Sequence, residues 1–368
     1  MAAHKKCADK LGNDCVKSQL AELEPEEPAQ EVAWMDIGKA DIQKYYSAGS
    51  PYNFYEKKEK LGEGGGGAVY RVVDKADKQV WALKEIRKDS YDLPLLEREI
   101  LVMKDLRHEG LVTLKQAFQD KTNIYLVLDL LKGGELFDRI IEQESFSEED
   151  ASTITAQLLH ALDYMHSKGC AHRDIKAENV LLVDKTSTKV KLADFGLANA
   201  LGEASKFQSC VGTTDYMAPE MLESLKYSFG VDVWSLGVLT YIMLSGYPPF
   251  YGKNENEKVD KILTAKFDFN HAVWDDVSDS AKNFICRCLS LQPKQRWNVK
   301  QLLAHPWITG KARDGEAKTE GKVLAPLQSR RRLNEFNQEV RNSKRNGGTP
   351  QGAAVVAAAV EEKKKVKK

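Results

Sequence analysis

Periodicity changes once along this chain, and that change limits the folds open to it. β-type runs come first, at residues 68–73, 79–84 and 124–128. One helical pattern interrupts them, with Leu95, Leu96, Glu99, Ile100, Met103 and Leu106 at helical offsets. From Glu135 onward helical patterns dominate. Ser147 followed by Glu148, Glu149 and Asp150 reads as the capped start of a helix running through Met165, because a hydroxyl and acids suit the unsatisfied amides of a first turn. Strands first and helices after predict an α+β chain.

The flanks have a different texture. Residues 1–52 lack sustained periodicity, and Glu22 to Pro28 is acidic and broken by proline, so a disordered extension is expected there. Residues 309–368 turn polar and basic, then low in complexity, and end in lysines. Lys+Arg 54 balances Asp+Glu 54, so no global basic field points to nucleic acid. The most apolar run, Val233 to Leu244, carries Ser235 and Thr240 and falls short of the ~20 residues a bilayer requires, so a buried helix and no membrane partner are expected. The N-terminus lacks an apolar signal core, and Ala2 excludes a glycine-dependent myristoyl signal. The six cysteines, Cys7, Cys15, Cys170, Cys210, Cys286 and Cys288, fit neither a zinc framework nor a disulfide scaffold. A reducing, cytoplasmic setting follows; the terminal lysines read as a solubilising tail, with a nuclear signal as the alternative.

Three groups of residues carry chemistry. Gly62, Gly64 and Gly67 repeat at a spacing that lets backbone amides approach phosphate oxygens. A Rossmann turn needs a helix next, but residues 68–73 are β-type; a P-loop needs Gly-Lys-Ser/Thr, which is absent. Lys84 lies at the end of the strand pattern Val80-Trp81-Ala82-Leu83-Lys84. His172-Arg173-Asp174-Ile175-Lys176-Ala177-Glu178-Asn179 then places an acid, a lysine and an amide at fixed offsets, and Asp194-Phe195-Gly196 adds a second acid.

Together these segments resemble the glycine loop, strand lysine, catalytic loop and metal-binding turn of protein kinases, in the right order. The resemblance implies the bilobal kinase fold, with a small β-rich lobe over 53–130 and a larger helical lobe over 131–308, and it implies ATP and Mg²⁺. Lys84 would bind the α- and β-phosphates, held by Glu99, which has the family's offset from His108; Glu97 competes, and either glutamate alone reads as a solvated helix face. Asp174 would take the substrate hydroxyl proton, Lys176 would neutralise the transferred phosphoryl group, and Asn179 and Asp194 would hold Mg²⁺. Lys176 resembles Ser/Thr rather than Tyr kinases. Leu61, Gly62, Gly64, Gly67 and Val69 would cover ATP, Ala82 and Leu181 would sandwich the adenine with Val69, and Leu128 would be the gatekeeper. Asp129 to Leu131 would be the hinge, and Glu135 would close the far end of the nucleotide site. Met103, Leu114, His172 and Phe195 would stack as a spine anchored by Asp232, and Glu220 would pair with Arg296.

Gly133-Gly134-Glu135-Leu136-Phe137, Gly246-Tyr247-Pro248-Pro249-Phe250 and His305-Pro306-Trp307-Ile308 narrow the resemblance to the calcium/calmodulin-dependent kinase group, over residues 53–308. There Glu135 would bind an arginine three residues before the phosphoacceptor, with Asp138 and Glu178 nearby, implying Arg-x-x-Ser/Thr protein substrates. Thr213 would contact Asp174 and Lys176.

Gly66, Ala177 and Thr214 depart from the group's usual residues, but none removes a reacting group. Ser209 is the expected activating phosphosite, pairing with Arg173 and calling for an upstream kinase. In the tail, Leu327, Phe336 and Val340 with Arg330–Arg332 suggest a calmodulin-binding helix over about 326–345, opposed by Glu335 and Glu339. Arg331-Arg332-Leu333-Asn334 also resembles a substrate with Asn at the acceptor, and a solvated linker helix is the bland alternative. No EF-hand pattern occurs, so calcium sensing would come from a partner. The reading from a different class is a pseudokinase scaffold, which intact Lys84, Asp174, Asn179 and Asp194 argue against.

Overall fold

The computed structural model describes residues 42–64, 67–143, 146–195, 198–200, 214–223 and 228–310. Ser209, Thr213, Gly66, Gly196 and the tail segment 326–345 lie outside them.

The β-type runs become one antiparallel sheet. Its strands are β1 (Tyr55–Gly64), β2 (Gly67–Asp74), β3 (Val80–Arg87), β4 (Leu114–Gln119) and β5 (Asn123–Asp129), in spatial order β1-β2-β3-β5-β4. Alternation gives the sheet two apolar faces. Leu83, Val72, Val127, Phe118, Tyr125 and Tyr55 form a small cluster on one side. Ile86, Ile124, Leu126 and Leu114 join the main core on the other. Lys84 shares that second face, between Ala82 and Ile86, so the strand register turns it toward the other lobe.

Helix α1 (Leu93–Asp105) begins where Asp92 accepts a hydrogen bond from Leu95 N and Pro94 occupies the first turn. Its buried stripe is Leu96, Glu99, Ile100 and Met103, so a glutamate occupies an apolar face. Past the sheet come β6 (Gly134–Glu135), α2 (Leu136–Gln143) and α3 (Glu148–Ser167). Ser147 caps α3 as expected, accepting from Asp150 N at 3.0 Å. β7 (Cys170–Ala171) precedes the catalytic-loop residues, and β8 (Val180–Leu182) with β9 (Val190–Leu192) joins β6 in a three-stranded sheet. Then follow α4 (Gly230–Ser245), α5 (Glu255–Leu263) and α6 (Asp279–Cys288). The apolar run is α4, buried from Val231 through Ser245 and ended by Gly246 at φ 76°. It packs against α3 and α6 at the centre of the lobe. Among the described residues no helix is long and apolar enough to cross a membrane.

The aperiodic extension expected to reach residue 52 has structure over its last eleven residues. Ile42–Tyr45 is a short 3-10 turn, and Pro51–Phe54 is a helical turn capped by Ser50. Tyr46 bridges to Ala117, and Ser47 N donates to Ala117 O at 2.8 Å. β4 is an edge strand, and an open edge offers unpaired backbone groups to any neighbouring segment. Such pairing has no period for a sequence to display.

Candidate active site

A buried carboxylate sets the position of the loop after β7. Asp232, in the first turn of α4, has no exposed surface and accepts from His172 N at 2.9 Å, Arg173 N at 2.7 Å and His166 Nε2 at 2.8 Å. Burial pushes its carboxyl up, but the His166 hydrogen bond and charge, with the Arg173 amide, outweigh burial and bring it below the ordinary value. The loop it anchors turns at Arg173, a non-glycine residue at φ 70°. Such backbone costs of order 1–3 kcal/mol and persists where its surroundings over-determine it.

Beyond that turn, Lys176 Nζ donates to Asp174 Oδ2 at 2.6 Å. Asn179 Nδ2 donates to Asp174 Oδ2 and to Asp174 O, both at 2.8 Å. Burial pulls the Lys176 ammonium down, but Asp174, with Glu178 and Asp194, raises it above its ordinary value. Lys176 therefore stays protonated beside Asp174.

The second acid is tied to this loop through the backbone. Ala193 N donates to Asn179 O at 2.8 Å, and His172 Nε2 donates to Ala193 O at 3.1 Å. Asp194 follows at φ 64°, and Phe195 lies edge-on to His172 with ring centroids 5.4 Å apart. His172 is fully buried, which lowers its pKa, so it is neutral packing and not a proton carrier. Met103, Leu114 and Phe195 belong to one buried hydrophobic cluster.

Above lies the sheet face. Val69 pairs with Lys84 across β2 and β3, and Ala82 pairs with Leu128 across β3 and β5. Gly62 and Gly64 are on β1 opposite Val69 and Gly67, and Leu61 is 48% exposed. Gly67 has φ 106°, and a Cβ there would lie 2.1 Å from Glu85 O, so only glycine fits. Below, Glu135 pairs with Leu181 across β6 and β8; both are half-buried. Leu131 is half-buried in the connection, Asp138 is exposed on α2, and Glu178 is buried beside Asn179. The Asp129 side chain is engaged elsewhere, accepting from Thr113 N at 2.9 Å and pairing with Lys191 at 2.7 Å, so only its main chain serves a hinge.

The expected carboxylate clamp on Lys84 is present in position but not closed. Glu99 is 5% exposed, and its Oε2 is buried without a hydrogen-bond partner. Among the described residues no ion pair joins it to Lys84. Glu97 is half-buried, and its field acts on Tyr46, so it is not the inward acid. Burial drives the Glu99 carboxyl up to about 7, against the lowering field of Lys84 and with the raising field of Asp194. Between pH 4.5 and about 7 the folded chain holds a proton that the unfolded chain has released. Wild-type stability therefore falls as pH rises through that window and is fully penalised above it. Glu99→Gln lacks this proton. Thermal melts of the two proteins should diverge in favour of the variant from pH 4.5 to about 7, then run parallel.

The donor set suits a hard cation. Asn179 donates through Nδ2, leaving its amide oxygen, and Asp194 supplies a carboxylate, both ligand types that Mg²⁺ takes alongside phosphate oxygens. The orphaned Glu99 oxygen adds a buried polar atom that a cation or a donor would satisfy. One polar group near the site was visible in the sequence only as the departure at Thr214: Thr214, Asp215, Glu255 and Lys258 meet beside the catalytic loop, although 43 residues separate Asp215 from Lys258. No local pattern links such distant positions.

The family model of the protein kinase domain matches residues 55–308. A probable myosin light chain kinase of Dictyostelium discoideum is 42% identical over 263 residues, covering 70% of this chain and 84% of its own. Calcium/calmodulin-dependent protein kinase type 1 of Macrobrachium nipponense is 41% identical over 266 residues, covering 71% and 77%. Calcium/calmodulin-dependent protein kinase type 1B of Rattus norvegicus is 41% identical over 261 residues, covering 70% and 76%.

Proposed function

The chain belongs to the protein kinase family, as a Ser/Thr kinase of the calcium/calmodulin-dependent group, and on that footing we propose that it transfers the ATP γ-phosphate to Ser or Thr in Arg-x-x-Ser/Thr proteins under control of its C-terminal segment. The family implies ATP and, typically, Mg²⁺. The observation that carries the reading is the Asp174 carboxylate, held by Lys176 and Asn179, with Lys84 and Asp194 both acting on the buried Glu99 carboxyl.

Each residue then has a role. Asp174 orients the substrate hydroxyl and takes its proton as that oxygen bonds to the γ-phosphorus and the bond from the γ-phosphorus to the β,γ-bridging oxygen breaks, releasing ADP. Lys176, protonated beside it, offsets charge on the phosphoryl group in flight. Asn179 and Asp194 would hold Mg²⁺, whose charge offsets that of the phosphates. Lys84 orients the α- and β-phosphates, and Glu99 closes on it when they bind. Gly62, Gly64 and Gly67 bring backbone amides close to the phosphates. Val69, Ala82 and Leu181 enclose the adenine beside the hinge main chain. Glu135, Asp138 and Glu178 supply carboxylates for a substrate arginine, a match of planar fork to carboxylate. Ser209 receives the activating phosphate from an upstream kinase, and Thr213 supports Asp174 and Lys176.

Regulation is read from the tail sequence and from the relatives' names. The basic segment 326–345 would occupy the cleft, with Asn334 in the acceptor place, until Ca²⁺/calmodulin withdraws it. The test is transfer from Mg²⁺-ATP to an Arg-x-x-Ser peptide by the full chain, with and without Ca²⁺/calmodulin, beside a chain ending at residue 310. Tail control predicts low basal transfer that calmodulin raises and truncation releases. Equal rates in all three arms keep the kinase and remove the tail.

A further inference from the structure

A polar cluster ties a turn beside the catalytic loop to α5. The turn is Thr214–Tyr216, all three residues buried, and it lies next to the catalytic loop: the hydroxyl of Tyr216 is in the field of Glu178 and Asp174. Ser235 Oγ donates to Tyr216 O at 2.7 Å, fixing the turn to α4 from behind. On its other side Thr214 Oγ1 donates to Glu255 Oε1 at 2.5 Å. Lys258 Nζ lies 3.3 Å from Asp215 Oδ1 and 3.0 Å from Glu255 Oε2. One ammonium thus serves two carboxylates, one from the turn and one from α5. The Asp215 and Lys258 side chains are 7% and 12% exposed, so solvent screens this pair little. Burial raises the Asp215 carboxyl despite Lys258, with Glu255 adding to the rise, which marks the acid as dependent on its cation.

We propose that Lys258 is a positioning residue for the protein substrate: by neutralising Asp215 and Glu255 together it holds the turn 214–216 where a chain presenting its hydroxyl to Asp174 must pass. The inference rests on the kinase reading of the cleft and deepens it. Among the described residues the cluster's hydrogen bonds and ion pairs join the turn and α5, and none reaches the glycine strands or Lys84, so its loss should affect the peptide and not the nucleotide. Without Lys258, two carboxylates face each other in a confined space and the turn has to move. Arginine at 258 keeps the charge.

The experiment is steady-state kinetics of the full chain against an Arg-x-x-Ser peptide and ATP, with melting temperatures alongside. The variants are Lys258→Met, Lys258→Arg and Asp215→Asn/Lys258→Met. Lys258→Met is expected to raise the peptide KM by about tenfold while the ATP KM stays within about twofold. Lys258→Arg should recover most of that loss. The double variant, which removes one carboxylate with the ammonium, should be milder than Lys258→Met alone. Equal rises in both KM values, or a loss that only follows the melting temperature, overturns the assignment. An active wild type whose Lys258→Met variant keeps its peptide KM overturns this inference alone; a wild type without transfer overturns the kinase reading and the inference together.

Discussion

Asp174→Asn is expected to lower kcat by about 10²- to 10⁴-fold, the usual contribution of a positioned acid–base group. The substitution is nearly isosteric. Its amide oxygen still accepts from Lys176 and from Asn179, whose Nδ2 lies 2.8 Å from Asp174 Oδ2. The loop is held from elsewhere as well, since Asp232 accepts from His172 N and Arg173 N and does not touch the Asp174 side chain. Fold, melting temperature and ATP binding should therefore stay close to wild type while turnover collapses. What goes is the negative charge that receives a proton and balances Lys176 at the acceptor hydroxyl. A variant that retains wild-type kcat would move the reaction to another residue. One that loses ATP binding as well would mean that Asp174 works through the architecture of the loop.

The lobes were legible because each is built on a strong local period. β3 is a short β-type run, α3 begins at a serine followed by three acids, and α4 is a mainly apolar run that carries Ser235 and Thr240; all three appear where those patterns lie. The catalytic loop was legible for another reason: Asp174, Lys176 and Asn179 are near neighbours in sequence, so their offsets already determine who can touch whom. Lys84 and Glu99 show the limit of that reasoning. Which acid faces the cleft follows from the buried stripe of α1, but whether it has closed on Lys84 depends on how α1 packs on the sheet, and no pattern within either element carries that distance. The same holds for Asp129. A hinge assignment locates the residue but not its side chain, which the chain uses to join Thr113 and Lys191. The strap at 42–54 and the Lys258 cluster were invisible because edge pairing and long-range ion pairs leave no period.

Arg296→Met is expected to cost about 3–5 kcal/mol, because it leaves the buried Glu220 carboxylate without its cation. Arg296 Nη1 donates to Glu220 Oε1 at 2.6 Å and Nη2 donates to Oε2 at 3.1 Å, a two-point grip on a side chain 6% exposed. The same guanidinium donates to Gly230 O at 2.8 Å and to Ser290 O at 3.2 Å, and it lies 5.1 Å from the centroid of the Trp234 ring. One planar group thus joins the helical turn Pro219–Leu222, the start of α4 and the segment after α6. Lysine can match neither the fork nor the two carbonyls together, so Arg296→Lys should fall between wild type and Arg296→Met. For a domain of this size, that loss lowers the melting temperature by roughly 10 °C, read by circular dichroism. A double-mutant cycle with Glu220→Leu separates the pair from the packing, since removing both charges should cost less than the two single losses added. The consequence for turnover follows from position. Glu220 lies four residues past Tyr216, so the buried pair anchors one end of the segment whose other end Lys258 holds. Near its melting point, Arg296→Met should lose peptide phosphorylation before it loses ATP binding. Simultaneous loss of both would place the pair in the global core and not in the substrate platform.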